Sequence, residues 1–392
     1  MYNFDKIHQP ENYFYKNNPI RNKKLFGTEK IMPFWIADMD FKIANSITEQ
    51  LRQIVSRGIY SYELFPENYY DVMANWFNKR HDYNLKSEYF LAVPGILTGM
   101  AFLIEEFSEK GDTVLIQTPV YHQFKSTIEK TKRKVISNSL KISNNYYEID
   151  FEDLEHLFQT QSVKIMILCN PHNPVGRVWK KEEIGRIVAL TQKYRVFLIS
   201  DEVHSEIIFG HRKFNSLTQY DNPNIISILG STGKTFGLQS IATGVFYVND
   251  DTLRTQIQQQ IEALHLNHGN AFSRYATYAA YKNGEIWFYQ MMCYIECSYQ
   301  WIQDFITKEL PTVKLLPMEG TYLIWLDFRA LNLTKKELEE VLFRKAGIGF
   351  APGDWFGKDG TGFMRMTIAS PLPILQKAFF KLKETLDSLP KK

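Results

Sequence analysis

The chain has 392 residues, with 46 Lys and Arg against 43 Asp and Glu and a formal net charge of +3. Acidic and basic residues are interspersed, which excludes the basic stripe of a nucleic-acid binder, and no apolar run reaches the roughly 20 residues that span a bilayer. The length exceeds one ordinary core and predicts two domains or one large α/β unit.

In chain order, residues 1–45 contain Pro19 and Pro33 and few periodic positions, and read as an arm that packs on other elements. Residues 46–284 read as a large domain. A predicted helix at 97–108 precedes a strand at 113–117, followed by a strand at 163–169 and a helix at 181–194. Strands at 196–200, 225–229 and 244–247 come next, with a helix at 253–263. This alternation of short apolar runs and amphipathic stretches predicts βαβ units and an α/β fold with a mainly parallel sheet between helices. The character changes near Gly284. A long helix at 285–308, a strand at 320–326, a helix at 335–345 and a strand at 362–367 predict a smaller α+β domain over 285–392.

The cysteines Cys169, Cys293 and Cys297 form neither a disulfide framework nor a metal pattern. Cys293 and Cys297 share a helix face by spacing and read as small buried hydrophobes. No stretch pairs a basic start with an apolar run and a small-residue cleavage site, so no signal peptide is expected. A reduced, cytoplasmic protein with no metal, no nucleic-acid partner and no membrane follows.

In open α/β sheets ligands bind beyond the carboxyl ends of the strands. Four such ends carry unusual residues here: "TPVY" ending at Tyr121, "NPHNPVG" over 170–176, "DEVH" over 201–204 and "GSTGK" ending at Lys234. Singly, each has an ordinary explanation. Asn-Pro forms turns, Asp201 or Ser231 can cap a helix, Tyr121 can fill a core, and a helix lysine is usually solvated. Jointly they predict one site. Lys234 in particular follows a strand, sits among small residues and has no carboxylate close in sequence to pair with.

These stretches, with "MPFWIADMDF", "VPGILTGM", "SDEVHSEI", "EGTYLIWLDF" and "GFMRMTIASP", make the chain resemble fold-type I pyridoxal phosphate (PLP) enzymes. Within them it is similar to the MalY/PatB group of cystathionine β-lyases, or cysteine C–S lyases, related to class I and II aminotransferases. The likeness runs from about residue 32 to 371. It implies that PLP is the cofactor, that Lys234 is the Schiff-base lysine and later the base at the substrate Cα, and that Asp201 bonds the pyridine nitrogen. It also implies that Asn173 donates to the phenolic oxygen and Tyr121 stacks on the ring. His204 would assist, against the alternative of a core histidine bonded to backbone.

The phosphate would take backbone N–H groups of Gly95, Ile96 and Leu97 at a helix start, with Ser231 adding a hydroxyl. Arg365 would clamp the substrate α-carboxylate, a planar match for a guanidinium, with backbone help from Ala37. The resemblance further implies a homodimer with shared active sites, in which Tyr62 of "GIYSYELF" reaches the neighbour's phosphate. Tyr60, Phe65, Tyr69 and Tyr70 around it suit an interface. The family's usual glycine before this tyrosine is Ser61 here.

Two features favour a lyase over an aminotransferase. Many class I aminotransferases hold the phosphate with an arginine about eight residues beyond the lysine, and "SIATG" (240–244) has none. "WIADMDF" and "EGTYLIWLDF" also match the lyases more closely. The reaction so implied is α,β-elimination from cystathionine or another S-substituted L-cysteine, giving thiol, pyruvate and ammonia. The "GDWFG" loop (353–357) suggests tolerance of apolar sulfur substituents.

Overall fold

The computed structural model describes residues 1–390 apart from Pro10, Asn12, Ser231, Ala242 and His268. Its centre is a seven-stranded sheet of β1 (Phe90–Val93), β2 (Thr113–Thr118), β3 (Lys134–Ser139), β4 (Val163–Cys169), β5 (Phe197–Glu202), β6 (Ile225–Leu229) and β7 (Gly244–Tyr247), in the order β1-β7-β6-β5-β4-β2-β3. Strands β2 to β6 pair in parallel, while β7 runs antiparallel to both neighbours.

Both faces of this sheet are covered, which is why its strands read as nearly continuous apolar runs. Ile165, Ile167, Ile226 and Ile228 enter one apolar cluster, and Met166, Leu168, Leu198 and Leu229 enter the other, with the strand period of two. The chain reverses its direction of travel across the sheet between β2 and β4. Their carboxyl ends therefore border a crevice at a topological switch point, where ligands bind in such sheets.

The second sheet is antiparallel, in the order β8-β9-β11-β10, formed by β8 (Lys314–Leu315), β9 (Leu323–Asp327), β10 (Ala351–Pro352) and β11 (Phe363–Thr367). The N-terminal segment is tied to this region of the fold. Met32–Pro33 pairs in parallel with Ile348–Gly349, Thr367 N–H donates to the Phe34 carbonyl and Asp40 N–H to the Ala369 carbonyl, each at 2.9 Å.

Several elements differ from their predicted form. Strand β5 continues to Glu202, past residue 200, because Asp201 and Glu202 pair with Ile228 and Leu229 of β6. Their polarity hid this, yet the Glu202 carboxylate is satisfied inside the fold by Ser216 Oγ (2.5 Å) and Leu217 N–H (2.9 Å). Strand β9 starts at Leu323 rather than 320, since Thr321 at φ 69° breaks the extended backbone. The 335–345 helix divides into an α segment, Lys335–Glu339, and a π segment, Glu340–Lys345.

Cys293 and Cys297 are exposed, a correction to their reading as buried. The helix Glu285–Glu309 buries Met291, Ile295 and Ile302, and the two thiols lie off that face. Tyr69 also departs from its reading as an interface residue. It is buried within the chain at 3% exposure, whereas Tyr60 is exposed and Phe65 and Tyr70 are half-buried. Among the described residues no helix is long and apolar enough to cross a membrane, and no cluster of His, Cys, Asp or Glu could hold a metal ion.

Candidate active site

A cavity of about 1560 Å³ opens at the carboxyl ends of β2, β4 and β5, between the two sheets and under the N-terminal segment. Ile96, Leu97, Tyr121, Asn173, Asp201, His204, Lys234, Arg365 and Ala37, nine of the residues singled out by sequence, line it. That volume exceeds what one small ligand fills, and accommodates a cofactor and an amino acid side by side.

Lys234 sits in the short helix Thr232–Phe236 that follows β6. Gly230 makes the turn possible: it has φ +42°, and a Cβ there would lie 2.7 Å from the Tyr281 hydroxyl. The Lys234 ammonium donates to the Ala37 carbonyl at 2.7 Å. Burial, seconded by the Arg365 charge, lowers its pKa to about 8, against the opposing pull of Asp38 and Asp201. An amine so depressed is partly neutral near physiological pH, which a Schiff-base nucleophile requires.

Asp201 is the penultimate residue of β5, with its backbone between Cys169 and Ile228. Its Oδ1 accepts from Val203 N–H at 3.2 Å. Burial raises its pKa to about 6, with Val203 N–H and Lys234 opposing. A carboxylate held in this state gains from any cation brought alongside. His204 is buried, with its ring 5.7 Å from that of Tyr322. Its Nδ1 makes no hydrogen bond among the described residues, and burial together with Lys234 and Arg365 keeps it neutral.

Arg365 rises from β11, opposite Trp325 of β9 and Ala351 of β10. Its Nη1 donates to Asn173 Oδ1 at 3.0 Å and its Nη2 to the Trp35 carbonyl at 2.7 Å. The Nε is buried without a partner among the described residues. Burial lowers the guanidinium pKa to about 10, so it stays charged at neutral pH. Since a guanidinium only donates, Asn173 must turn its oxygen toward it, which leaves the Asn173 amide nitrogen as a donor.

The helix Ile96–Glu106 begins behind Gly95 with no side-chain cap. Its first N–H groups are unclaimed by side chains and border the cavity through Ile96 and Leu97, the arrangement that suits an anion. Gly95 serves as the N-cap and does not itself line the cavity. Tyr121 precedes the helix His122–Lys130 and is half-buried on the cavity wall. Tyr62 is not brought to the site: it stands fully exposed, outside the cavity lining. Ser231 lies outside the described residues.

Sequence reasoning missed other groups. Tyr322, within the quoted "EGTYLIWLDF", donates its hydroxyl to the Ala37 carbonyl at 3.1 Å. His122 lines the cavity, its Nδ1 without a partner among the described residues, and burial lowers its pKa to about 4. Trp355 of the 353–357 loop packs edge-on to Trp35 with ring centres 6.1 Å apart. Lys16 reaches the cavity wall from far away in sequence, and no local signal marks it.

The aminotransferase class I and II family model matches residues 48–373. The chain belongs to this family. It is 34% identical to cystathionine β-lyase PatB of Bacillus subtilis (strain 168) over 93% of this chain and 94% of that protein, and falls within the MalY/PatB group. The fold matches the PLP-bound putative aminotransferase from Clostridium difficile 630 with a TM-score of 0.93 and 34% identity, over 98% of this chain and 100% of that one. It matches the PLP-bound C–S lyase from Staphylococcus hominis with a TM-score of 0.90 and 29% identity, over 98% of both chains. The architecture is that of fold-type I PLP-dependent enzymes.

Proposed function

We propose that the protein is a PLP-dependent C–S β-lyase that cleaves cystathionine or other S-substituted L-cysteines to a thiol, pyruvate and ammonia. The observation that carries this reading is the convergence of Lys234, Asp201 and Arg365 on one cavity, from elements far apart in sequence. The likeness to cystathionine β-lyase PatB over nearly the whole chain supports the lyase branch.

The residues present fit the cofactor on their own chemistry. A depressed lysine amine, a buried carboxylate, a neutral histidine nitrogen without a partner and an uncapped helix start stand around one space. Lys234 would hold PLP covalently and Asp201 would face its ring nitrogen, with Asn173, His204 and Tyr121 placed around the ring. The helix start at Gly95, Ile96 and Leu97, with Ser231, would take the phosphate. When bound, PLP supplies the electron sink that lets a Cα–H bond ionise.

The chain's own groups then do the rest. Arg365 binds and orients the α-carboxylate, with the backbone of Ala37 beside it. Lys234, once free of its covalent role, removes the Cα proton as general base. The sulfur leaves Cβ as a thiolate, a far better leaving group than the hydroxide that serine would release. The remaining three-carbon fragment hydrolyses to pyruvate and ammonia.

The working unit is a homodimer in which Tyr62, fully exposed in the subunit, donates to the phosphate in the neighbouring site. The exposed Ile59, Tyr60 and Leu64 beside it give the same stretch an apolar surface. We place residues 1–45 in an arm, 46–284 in a PLP-binding domain and 285–392 in a smaller domain. The free, exposed Cys293 and Cys297 suit the reducing cytoplasm.

The test is a panel of L-cystathionine and cysteine S-conjugates scored for thiol and pyruvate. Equal yields of the two without added keto acid support the lyase. Turnover that depends on a keto acid and yields a new amino acid, with no pyruvate from the conjugate, overturns it in favour of an aminotransferase.

A further inference from the structure

Lys16 is a buried cation in the N-terminal segment, far from the described reacting groups in sequence. Its Nζ lies 2.7 Å from Asp38 Oδ1 and 2.7 Å from Asp40 Oδ1, and its side chain is 4% exposed against 26% and 33% for the two carboxylates. Two carboxylates flanking one residue repel each other, and an ammonium with three donors can satisfy both at once. Burial alone would lower the Lys16 pKa, but Asp40 and Asp38 outweigh it and raise it, so the bridge is charged.

The segment gripped in this way is a strap, residues 35–40, that touches both reactive side chains. The Trp35 carbonyl accepts from Arg365 and the Ala37 carbonyl from Lys234, each at 2.7 Å. On its far side Asp40 Oδ2 accepts from Ser370 Oγ at 2.5 Å. Lys16 is the bridge from the first 20 residues to both acidic positions of the strap.

We propose that Lys16 is a positioning residue of the active site: by bridging Asp38 and Asp40 it fixes the strap so that the Trp35 and Ala37 carbonyls meet Arg365 and Lys234. This rests on the reading of Lys234 as the cofactor-binding amine and Arg365 as the carboxylate clamp. It also gives Lys16 an electrostatic role. The charged and titratable groups facing Lys234 are Asp38 of the strap, Asp201 and His204 at the end of β5, and Arg365 of β11. Tyr322 joins them through the shared Ala37 carbonyl. Lys16 offsets the Asp38 charge within this set, so removing either partner of the bridge shifts the Lys234 proton in a direction set by sign alone.

The experiment uses the full chain in two states. Stripped of cofactor, it is mixed with PLP across a pH series, and the rate of cofactor uptake reports the fraction of neutral Lys234. Reloaded, it is assayed for KM and kcat on a cysteine S-conjugate. Lys16→Met adds uncompensated negative charge near Lys234 and moves the uptake limb to higher pH by roughly half a unit or more. KM rises about tenfold, with kcat less affected. Asp40→Asn removes negative charge and moves the limb to lower pH, with KM raised about threefold. In Lys16→Met with Asp38→Asn the limb returns to the wild-type position while KM stays high.

A purely structural role for Lys16 would not move the limb in opposite directions in Lys16→Met and Asp40→Asn. If the limb and KM stay at wild-type values in both, the proposal is overturned. Should Lys16→Met not fold, Asp40→Asn alone decides, and a wild-type limb and KM in that variant overturn the proposal. If the wild type takes up PLP but releases no thiol and pyruvate, the proposed function falls, and the uptake limb still decides on Lys16.

Discussion

The lowered pKa of Lys234 predicts how the protein acquires its cofactor. With an ordinary value of 10.5, about one lysine in 3,000 is neutral at pH 7; at about 8, roughly one in ten is. The difference is about 300-fold in reactive amine, so uptake by the stripped enzyme rises about tenfold per pH unit up to pH 7 and levels off above about 8. The assay mixes stripped protein with PLP from pH 6 to 10 and traps the product with borohydride. Peptide mapping then locates the reduced adduct. The label belongs on Lys234, and Lys234→Ala leaves no label and no turnover. A rate that keeps rising to pH 10 without a break would refute the argument that burial and Arg365 depress this amine. The stability linkage has the same sign. The unfolded lysine binds a proton that the native one sheds, so Lys234 makes the stripped protein more stable as pH rises from about 8 to 10.5.

Other outcomes follow from the same geometry. Arg365→Ala raises KM for α-carboxylate substrates by roughly ten- to several-hundred-fold while PLP content stays near wild type; equal losses of both, measured by kinetics and cofactor absorbance, would make Arg365 structural. Asp201→Asn keeps the shape but loses the charge proposed to face the ring nitrogen, and lowers kcat by roughly 10- to 150-fold, read from pyruvate release at saturating substrate. On the proposed dimer, co-refolding chains carrying Lys234→Ala with chains carrying Tyr62→Phe recovers partial activity, because one site of the hybrid would hold both residues. Hybrid dimers with no recovery would place Tyr62 in the service of its own chain.

The fold was legible where burial makes strands apolar on both faces. Strands β4, β6 and β7 lie where the apolar runs predict them. Legibility failed where polar residues continue a strand, as at Asp201 and Glu202; the Ser216 and Leu217 groups that satisfy Glu202 lie on another segment. Cys293 and Cys297 misled for a related reason: a thiol is apolar enough for a core, and only the position of the buried stripe on the helix decides. For the site, the strand-end motifs point to Tyr121, Asn173, Asp201 and Lys234, which line one cavity. Lys16 and His122 carry no local pattern, and Tyr322 lies in "EGTYLIWLDF" without being marked there as a site residue. Their importance comes from where unrelated segments cross, which one-dimensional spacing does not record.

The pairing of Met32–Pro33 with Ile348–Gly349 sets an order of assembly. The strap leaves the ribosome more than 300 residues ahead of the strand that seats it and of Ser370, which ties Asp40. Loop closure over such a span waits for the intervening chain to condense. Until then the Trp35 and Ala37 carbonyls have no Arg365 to meet. The strap thus depends on partners made long after it, and a chain cut short before residue 348 lacks the Ile348–Gly349 seat for Met32–Pro33.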